Sequence, residues 1–286
     1  MKNINYFIQF CLIIFLYSLY KILGLKNSQK ISANIFALIG PIFRSKKICK
    51  NNLSKAFPLM TKTEKEKIIK NMWINYGKIF SEYPFIKNFR ISEMNKIISI
   101  ENQNCLKKIR LSKNPVVFIS GHFNNFELMA MSLEKFGIDL AAIYRPLNNK
   151  FLNPIMEKIR KKYICKKQVK KGVSGTREIL RYFKNGSSIA IMIDQRVSQG
   201  VKADFFGHEA LTTTIPAQFV KRFNAKIVPV YIERTNNNHF KLKIHEEIRF
   251  NKKENILSIT LKLNKILEKM ILKKPDQWIW THNRWK

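Results

Sequence analysis

The chain has 286 residues, 45% of them hydrophobic and 25% charged, which excludes a disordered protein and allows a sizeable core. Its 53 Lys and Arg against 19 Asp and Glu give a net charge of +34. The cations are scattered, without an RNP-type aromatic, zinc-finger or helix-turn-helix pattern, so the charge indicates polyanionic surroundings such as anionic lipid or an acidic carrier protein more than nucleic acid.

The first predicted element is an apolar N-terminal segment. Residues 3–20 carry no charge and come close to the roughly 20 residues that cross a bilayer. No small-x-small cleavage site follows, so we predict a membrane anchor at residues 1–25 in preference to a signal peptide, with an interfacial anchor as the alternative. The basic residues after it are Lys26, Lys30, Arg44, Lys46, Lys47 and Lys50. By the positive-inside rule they place residues 26–286, predicted as one catalytic domain, in the cytoplasm.

Two helices are predicted next. The apolar stretch Ile31–Phe43, which contains Pro41, predicts a helix at the membrane surface. After a break at Pro58, Thr61–Glu64 has the form of a capping box that begins a second helix. Its apolar residues recur at helical spacing and predict ordinary core; they are Ile68, Ile69, Met72, Trp73, Tyr76 and Phe80.

From about residue 115 apolar strands alternate with amphipathic helices. The predicted strands are Val116–Ser120, Leu140–Tyr144, Ser188–Ile193, Lys226–Glu233 and Phe240–Ile244, and the predicted helices are Asn125–Phe136, Phe151–Tyr163, Gly175–Phe183, Pro216–Phe223 and Glu254–Leu272. This order predicts an α/β fold with a mainly parallel central sheet flanked by helices. Sites in such sheets lie beyond the carboxyl ends of the strands. The polar residues that follow the strands there are His122, Tyr144, Arg145, Asp194, Gln195, Arg196 and Arg234.

The pair His122 and Glu127 is the most informative feature. A histidine at a strand end, steered by a nearby carboxylate, is a general base that can deprotonate a hydroxyl. The alternative is a strand-to-helix turn in which the histidine caps the helix and the glutamate favours its dipole. No Gly-x-Ser-x-Gly elbow occurs and no cysteine lies near the pair, so direct attack by an acceptor hydroxyl is favoured over a covalent intermediate. Asn124, Asn125 or main-chain N–H groups are candidate donors to the oxyanion.

Other polar residues are candidates for binding substrate. Arg145, between a strand and a Pro-Asn turn, suits phosphate or a nearby carboxylate equally well. Asp194 ends a very apolar strand, where a carboxylate needs an Arg partner or a functional reason. The residues predicted to bind substrate are Asn124, Asn125, Arg145, Asp194, Gln195 and Arg196. Arg160, on the helix after the Pro-Asn turn, could point into the site or face solvent among neighbouring lysines, and the sequence alone slightly favours solvent. Residues 203–214 are interpreted as a loop and helix cap, with His208 a loop histidine.

The four cysteines are far apart and show no CxxC spacing; they are Cys11, Cys49, Cys105 and Cys165. Free thiols in a reducing compartment are the simplest interpretation. The sequence predicts no metal site and no cofactor.

The ordered set of motifs resembles the lipid A biosynthesis acyltransferases of Gram-negative bacteria, over nearly the whole chain. Besides the anchor, the matching motifs are Asn52–Pro58, Gly121–Glu127, Tyr144–Pro146 with Asn148 and Asn149, Asp194–Gln195, Phe205–Gly207 with Thr212–Thr214, and Trp280–Lys286. The turn departs from the common His-Phe-Gly-Asn-Trp-Glu form, since Asn124 stands for the Gly and Phe126 for the Trp.

The resemblance implies an inner-membrane enzyme with a glycerolipid acyltransferase-like fold. It would move a fatty acyl group from acyl carrier protein to a hydroxyl of a phosphorylated glycolipid, the lipid A precursor. It also implies that His122 and Glu127 are catalytic and that Arg160 and Asp194 are functional, which adds Arg160 to the predicted substrate-binding residues. The rival hypotheses are an acyltransferase for another glycerolipid or glycolipid, and a non-enzymatic membrane-tethered nucleic-acid binder, which the charge alone supports.

Overall fold

The computed structural model describes residues 2–43, 46–92 and 96–286. Arg44, one of the basic residues used to predict orientation, lies outside them. The helices are α1 (Lys2–Phe43), α2 (Lys46–Ala56), α3 (Lys62–Glu82), α4 (Ile86–Ile91), α5 (Gln103–Ser112), α6 (Glu127–Lys135), α7 (Leu152–Ile159), α8 (Val173–Lys184), α9 (Ile215–Phe223) and α10 (Ile256–Lys273). The strands are β1 (Ile98–Glu101), β2 (Val117–Ser120), β3 (Leu140–Tyr144), β4 (Lys167–Lys170), β5 (Ser188–Met192), β6 (Val201–Phe205), β7 (His208–Thr212), β8 (Ile227–Arg234) and β9 (Phe240–Ile244).

A central sheet has the strand order β1-β9-β8-β2-β5-β3-β4. The five strands from β8 to β4 are parallel, whereas β9 pairs antiparallel to β8 and carries β1 with it. Strand β2 is buried at every position, and β5 and β8 are nearly so, because helices cover both faces. The predicted α/β fold with a mainly parallel, helix-flanked sheet is confirmed.

Helix α1 is kinked at Gly24, whose φ of 74° lies in the left-handed region that glycine adopts without strain. The Ser28 hydroxyl donates to the carbonyls of Tyr20 and Gly24 and so satisfies the broken turn. Residues 2–23 would extend about 33 Å at 1.5 Å per residue, which matches the hydrocarbon core of a bilayer. Among the described residues, α1 is the one helix that is long and apolar enough to cross a membrane, judged by length and composition. Little of its apolar part is buried in the protein.

The part of α1 after the kink packs against α3. Gly77 of α3 lies so close to the main chain of Ser32 that an added Cβ would overlap it. The opposite side of this part exposes an apolar row, Ile31, Ile35, Leu38 and Ile42. One face is therefore held by protein, while the other has the exposed apolar character expected of a helix at a membrane surface.

Several elements were not predicted. Strand β4 contains Lys167 and Lys170 and lacks an apolar run, as suits a short edge strand. Residues 203–214, interpreted as a loop and cap, instead contain most of the hairpin β6–β7. Its two-residue turn has φ of 54° at Phe206 and 74° at Gly207, the conformation of tight hairpins.

Candidate active site

The site begins where two neighbouring parallel strands end. His122 follows β2 and Asp194 follows β5, and these strands pair directly. The main-chain N–H of His122 donates to Oδ2 of Asp194 at 2.7 Å, and Nδ1 of the ring lies 2.7 Å from Oδ1. Trp278 donates its indole N–H to Oδ2 at 2.9 Å. A carboxylate held this way keeps the ring proton on Nδ1, so Nε2 is the nitrogen that can accept a proton.

Glu127 does not steer His122, so the predicted pairing of these two residues is wrong. Its Oε1 accepts from the Tyr83 hydroxyl at 2.7 Å and from Nε and Nη2 of Arg160 at 2.8 and 2.6 Å. The reason lies in the turn between the two residues. Helix α6 begins only at Glu127, and Asn124 has a φ of 45°, so helical spacing does not relate the histidine to the glutamate.

The electrostatics favour the charged forms of Asp194 and Arg160. Burial would raise the pKa of Asp194, but attraction to His122 and the hydrogen bonds from His122 and Trp278 outweigh it and lower that pKa. Burial would likewise lower the pKa of Arg160, but the charge of Glu127 and the hydrogen bonds to it raise that pKa. Burial and the neighbouring Glu127 raise the pKa of the Tyr83 phenol, which therefore remains a hydrogen-bond donor.

Asn124 and Asn125 shape the turn and do not offer side-chain donors to a substrate. Asn124 donates to Gln277 at 2.9 Å, and Asn125 donates to Glu82 at 2.8 Å. Both are almost fully buried, and neither lines the cavity beside His122. The expectation that these amides donate to an oxyanion is therefore wrong in this structure, because both amides donate to protein groups outside the cavity. Asn124 keeps the left-handed turn that Gly would also permit, since Asn tolerates this conformation better than most residues.

Arg234 belongs to the same buried network. It donates to Glu82 at 2.6 Å and to the side-chain oxygen Oδ1 of Asn124 at 3.0 Å. Although it ends strand β8 as predicted, it contributes to the support of the turn and not to the wall of the cavity.

A cavity of about 640 Å³ opens beside His122, within the usual range for small-molecule sites. One part of its wall is apolar and includes Met129, Ala142, Ile164, Ile191, Met192 and Ile279. The polar lining includes His122, Glu127, Arg160 and Gln195 together with the cations Arg145, Lys171, Arg196 and Lys286. Of the predicted substrate-binding residues, Arg145, Arg160, Gln195 and Arg196 thus meet at one cavity. Asp194 lies behind His122.

Arg160 stands in a single π-helical turn, Arg160–Ile164, that continues α7. It is 8% exposed, and its Nη1 is buried without a hydrogen-bond partner among the described residues. Since Nε and Nη2 are bound to Glu127, Nη1 is the donor that remains for a ligand.

The segment 278–286 was not assigned any chemistry from the sequence. It reaches the site through Trp278, which contacts Asp194, and through His282, whose Nε2 accepts the main-chain N–H of Arg196 at 2.9 Å. Sequence spacing carries no signal for contacts across more than 80 residues. The family resemblance includes Trp280–Lys286 among its matching motifs, but it does not indicate which residues this segment contacts.

His208 is exposed on β7, away from the cavity. The four cysteines are free thiols, three of them buried and Cys11 exposed. In residues 2–43, 46–92 and 96–286 no group of three His, Cys, Asp or Glu could hold a metal ion.

Comparison with known proteins adds an independent finding. The family model described as bacterial lipid A biosynthesis acyltransferase matches residues 1–286. The chain is 25% identical over 250 residues to the lipid A biosynthesis palmitoleoyltransferase of Escherichia coli (strain K12), covering 85% of this chain and 79% of that protein. It is 24% identical over 244 residues to a lipid A biosynthesis acyltransferase of Haemophilus influenzae (84% and 76%). It is 22% identical over 252 residues to the lauroyltransferase of the same E. coli strain (85% and 79%).

Proposed function

This chain belongs to the bacterial lipid A biosynthesis acyltransferase family, and from that premise we propose that it transfers a fatty acyl group from acyl carrier protein to a hydroxyl of a phosphorylated lipid A precursor. The observation that carries the proposal is His122, whose ring is fixed by Asp194 at the wall of a cavity with apolar and cationic lining.

The chemistry follows from the tautomer of His122. Its Nδ1 proton is held by Asp194, so Nε2 takes the proton of the acceptor hydroxyl as the oxygen attacks the thioester carbonyl. The buried carboxylate then stabilises the imidazolium that forms. When the tetrahedral intermediate collapses, the C–S bond breaks and the imidazolium returns the proton to the departing thiolate. No covalent enzyme intermediate is needed.

Glu127 acts in this proposal through Arg160. Its carboxylate binds two of the guanidinium nitrogens and leaves Nη1 for the substrate. Removing Glu127 would leave a buried, uncompensated cation, which typically costs about 3–5 kcal/mol. The glutamate of the motif is thus required for activity because it positions a binding group.

The cavity lining supports an amphiphilic, anionic substrate. Its apolar wall suits an acyl chain, for which each buried methylene contributes about 0.8 kcal/mol. At the rim, burial together with the charge of Arg145 lowers the pKa of Lys171, so two cations are held near each other. An anion placed between them relieves that repulsion, which is why we propose that they bind the phosphate of the glycolipid or the acidic carrier protein.

We also propose that the enzyme is held in the inner membrane by the predicted anchor, residues 1–25, with residues 26–286 in the cytoplasm. The apolar, largely exposed first part of α1 supports a membrane anchor. Because Tyr6 and Phe7 contact Asn149 and Phe151, these contacts favour an anchor that lies in the membrane interface over one that crosses the bilayer.

The test is acyl transfer by the full-length protein in detergent or nanodiscs, with acyl carrier protein thioester and a lipid A precursor as substrates. His122→Ala should abolish product formation while His208→Ala, a matched change at an exposed histidine outside the cavity, should not. Equal rates for the His122→Ala variant and the wild type would refute the mechanism.

Mass spectrometry of lipids from cells with and without the gene identifies the acceptor. A change confined to glycerolipids would favour the alternative acceptor, whereas loss of one acyl group from lipid A supports the proposal.

A further inference from the structure

His282 is a second imidazole in the wall of the cavity. Its Nε2 accepts the main-chain N–H of Arg196, and therefore the proton of the neutral ring resides on Nδ1. Among the residues that the structure describes, the hydrogen bond of the ring is the one at Nε2, and Nδ1 makes none. The ring thus has one nitrogen committed to the protein and one N–H left for a ligand.

The ring is held rigidly relative to the base. The segment 278–286 is hydrogen-bonded to the loop after β5 at two points. Trp278 donates to Asp194, and His282 accepts from the main-chain N–H of Arg196. Asn52 of α2 donates to the carbonyls of Trp280 and His282 at 2.9 and 2.7 Å and holds this segment in place. A donor fixed before the reaction starts costs no reorganisation when charge develops.

The fully buried Arg284 pins the end of the same segment. Its guanidinium donates to the Leu211 carbonyl at 2.7 Å and to the Thr212 hydroxyl at 2.6 Å. The donor therefore does not depend on a mobile chain end.

The surroundings favour the neutral form of His282. Burial lowers the pKa of the ring, the carboxylate of Asp194 opposes this, and the nearby cations Arg284 and Lys171 lower it further. A neutral imidazole can polarise a carbonyl as an electrophile without giving up its proton.

We propose that the Nδ1–H of His282 donates a hydrogen bond to the carbonyl oxygen of the acyl thioester and stabilises the oxyanion that forms there. This inference rests on the acyl transfer proposed above. The acceptor oxygen bonds to the thioester carbon, its proton passes to Nε2 of His122, and the carbonyl π electrons move onto the oxygen facing His282. On collapse the C–S bond breaks and the thiolate takes the proton from His122, while His282 keeps its own throughout. The amides of Asn124 and Asn125 are occupied elsewhere and do not compete for this role.

Two substitutions separate the ligand-facing nitrogen from the structural one. In His282→Gln the amide reaches the position of Nε2, so it can still accept from Arg196, but the donor at Nδ1 is lost. In His282→Asn the amide occupies the position of Nδ1 and can still donate, but the acceptor for Arg196 is lost. Both variants are assayed in the full chain, and thermal unfolding in detergent checks that they fold.

The expected result is that kcat of His282→Gln falls by about 10²–10³, the usual loss for one oxyanion donor, with KM little changed. His282→Asn should retain clearly more of the wild-type kcat despite losing the Arg196 contact. The reverse order, or equal losses, would show that His282 only supports the loop and would overturn the inference.

Wild type and His122→Ala are run beside them. If the wild type forms no acylated product, the proposed function itself fails. If the wild type is active, His122→Ala is inactive and His282→Gln remains near wild type, only the inference about His282 fails.

Discussion

Replacing Asp194 with Asn tests which carboxylate directs His122. In the wild type, Oδ2 accepts two N–H groups, from the His122 main chain and from Trp278, while Oδ1 accepts the Nδ1 proton of the ring. The Asn carbonyl oxygen must stay with the two N–H donors, because an NH2 group there would face both of them. The NH2 group is then turned toward Nδ1, which must become an acceptor, and the ring proton moves to Nε2.

That tautomer has no nitrogen free to take a proton from the acceptor hydroxyl. The corresponding change in a catalytic triad lowers kcat by about 10⁴, so a loss of roughly 10³–10⁴ is expected, equivalent to about 4–5.5 kcal/mol. KM should change little, since Asp194 is 2% exposed and does not line the cavity.

Steady-state kinetics measure the loss, and the ¹⁵N chemical shifts of His122 report the tautomer. Glu127→Gln is the matched control, because it makes the same carboxylate-to-amide change at a residue that does not contact the ring. The control should retain the Nδ1–H tautomer and Asp194→Asn should not. An unchanged tautomer in Asp194→Asn, or a switched one in Glu127→Gln, would refute the assignment of Asp194 as the orienting group.

Trp278→Phe keeps an aromatic ring but removes the N–H donor to Asp194. A hydrogen bond to a charged group contributes about 1.5–3 kcal/mol, so kcat should fall by roughly 10- to 100-fold. An unaltered kcat would contradict a role for Trp278 in holding Asp194. Gly77→Ala forces a Cβ into the main chain of Ser32 and should lower the free energy of unfolding by about 1–3 kcal/mol. The loss should be measurable as a lower Tm in detergent. A Tm equal to that of the wild type would argue against the packing of α1 on α3. The KM for the donor or acceptor should rise with salt as the Debye length falls from about 10 Å at 0.1 M to about 3 Å at 1 M, and this dependence should weaken when Arg145 and Lys171 are both replaced by Ala. A salt-independent KM would exclude an electrostatic role for the cavity rim.

Much of the fold follows from local patterns in the sequence. Strands β2, β3, β5 and β8 were predicted because buried parallel strands need apolar residues on both faces. Strands β1 and β4 were missed because edge strands need no such run, and the hairpin β6–β7 because its turn places Phe206, an uncommon residue there, at positive φ.

The site was only partly predictable for a different reason. Topology brings the residues after neighbouring strands together, which correctly grouped His122, Arg145, Gln195 and Arg196. The sequence could not indicate which carboxylate faces the ring, because that depends on the left-handed turn at Asn124. It also could not reveal that segment 278–286 reaches the loop after β5, since no local period encodes such a distant contact.

Both parts of α1 contact elements that carry site residues. Before the kink, the carbonyl of Tyr6 accepts from Asn149 at 2.8 Å, and Phe7 packs edge-on against Phe151, directly before α7. Helix α7 leads into the turn that presents Arg160.

After the kink, Gln29 donates to Glu82 at 2.7 Å, and the same carboxylate accepts from Asn125 and Arg234. The next residue, Tyr83, holds Glu127. Glu82 is fully buried and paired with Arg234, so moving α1 away would remove the Gln29 hydrogen bond from a buried ion pair, and a hydrogen bond to a charged group contributes about 1.5–3 kcal/mol. The apolar helix and the turn from His122 to Glu127 are therefore one packed unit, and the position of the helix constrains the geometry around Glu127 and Arg160.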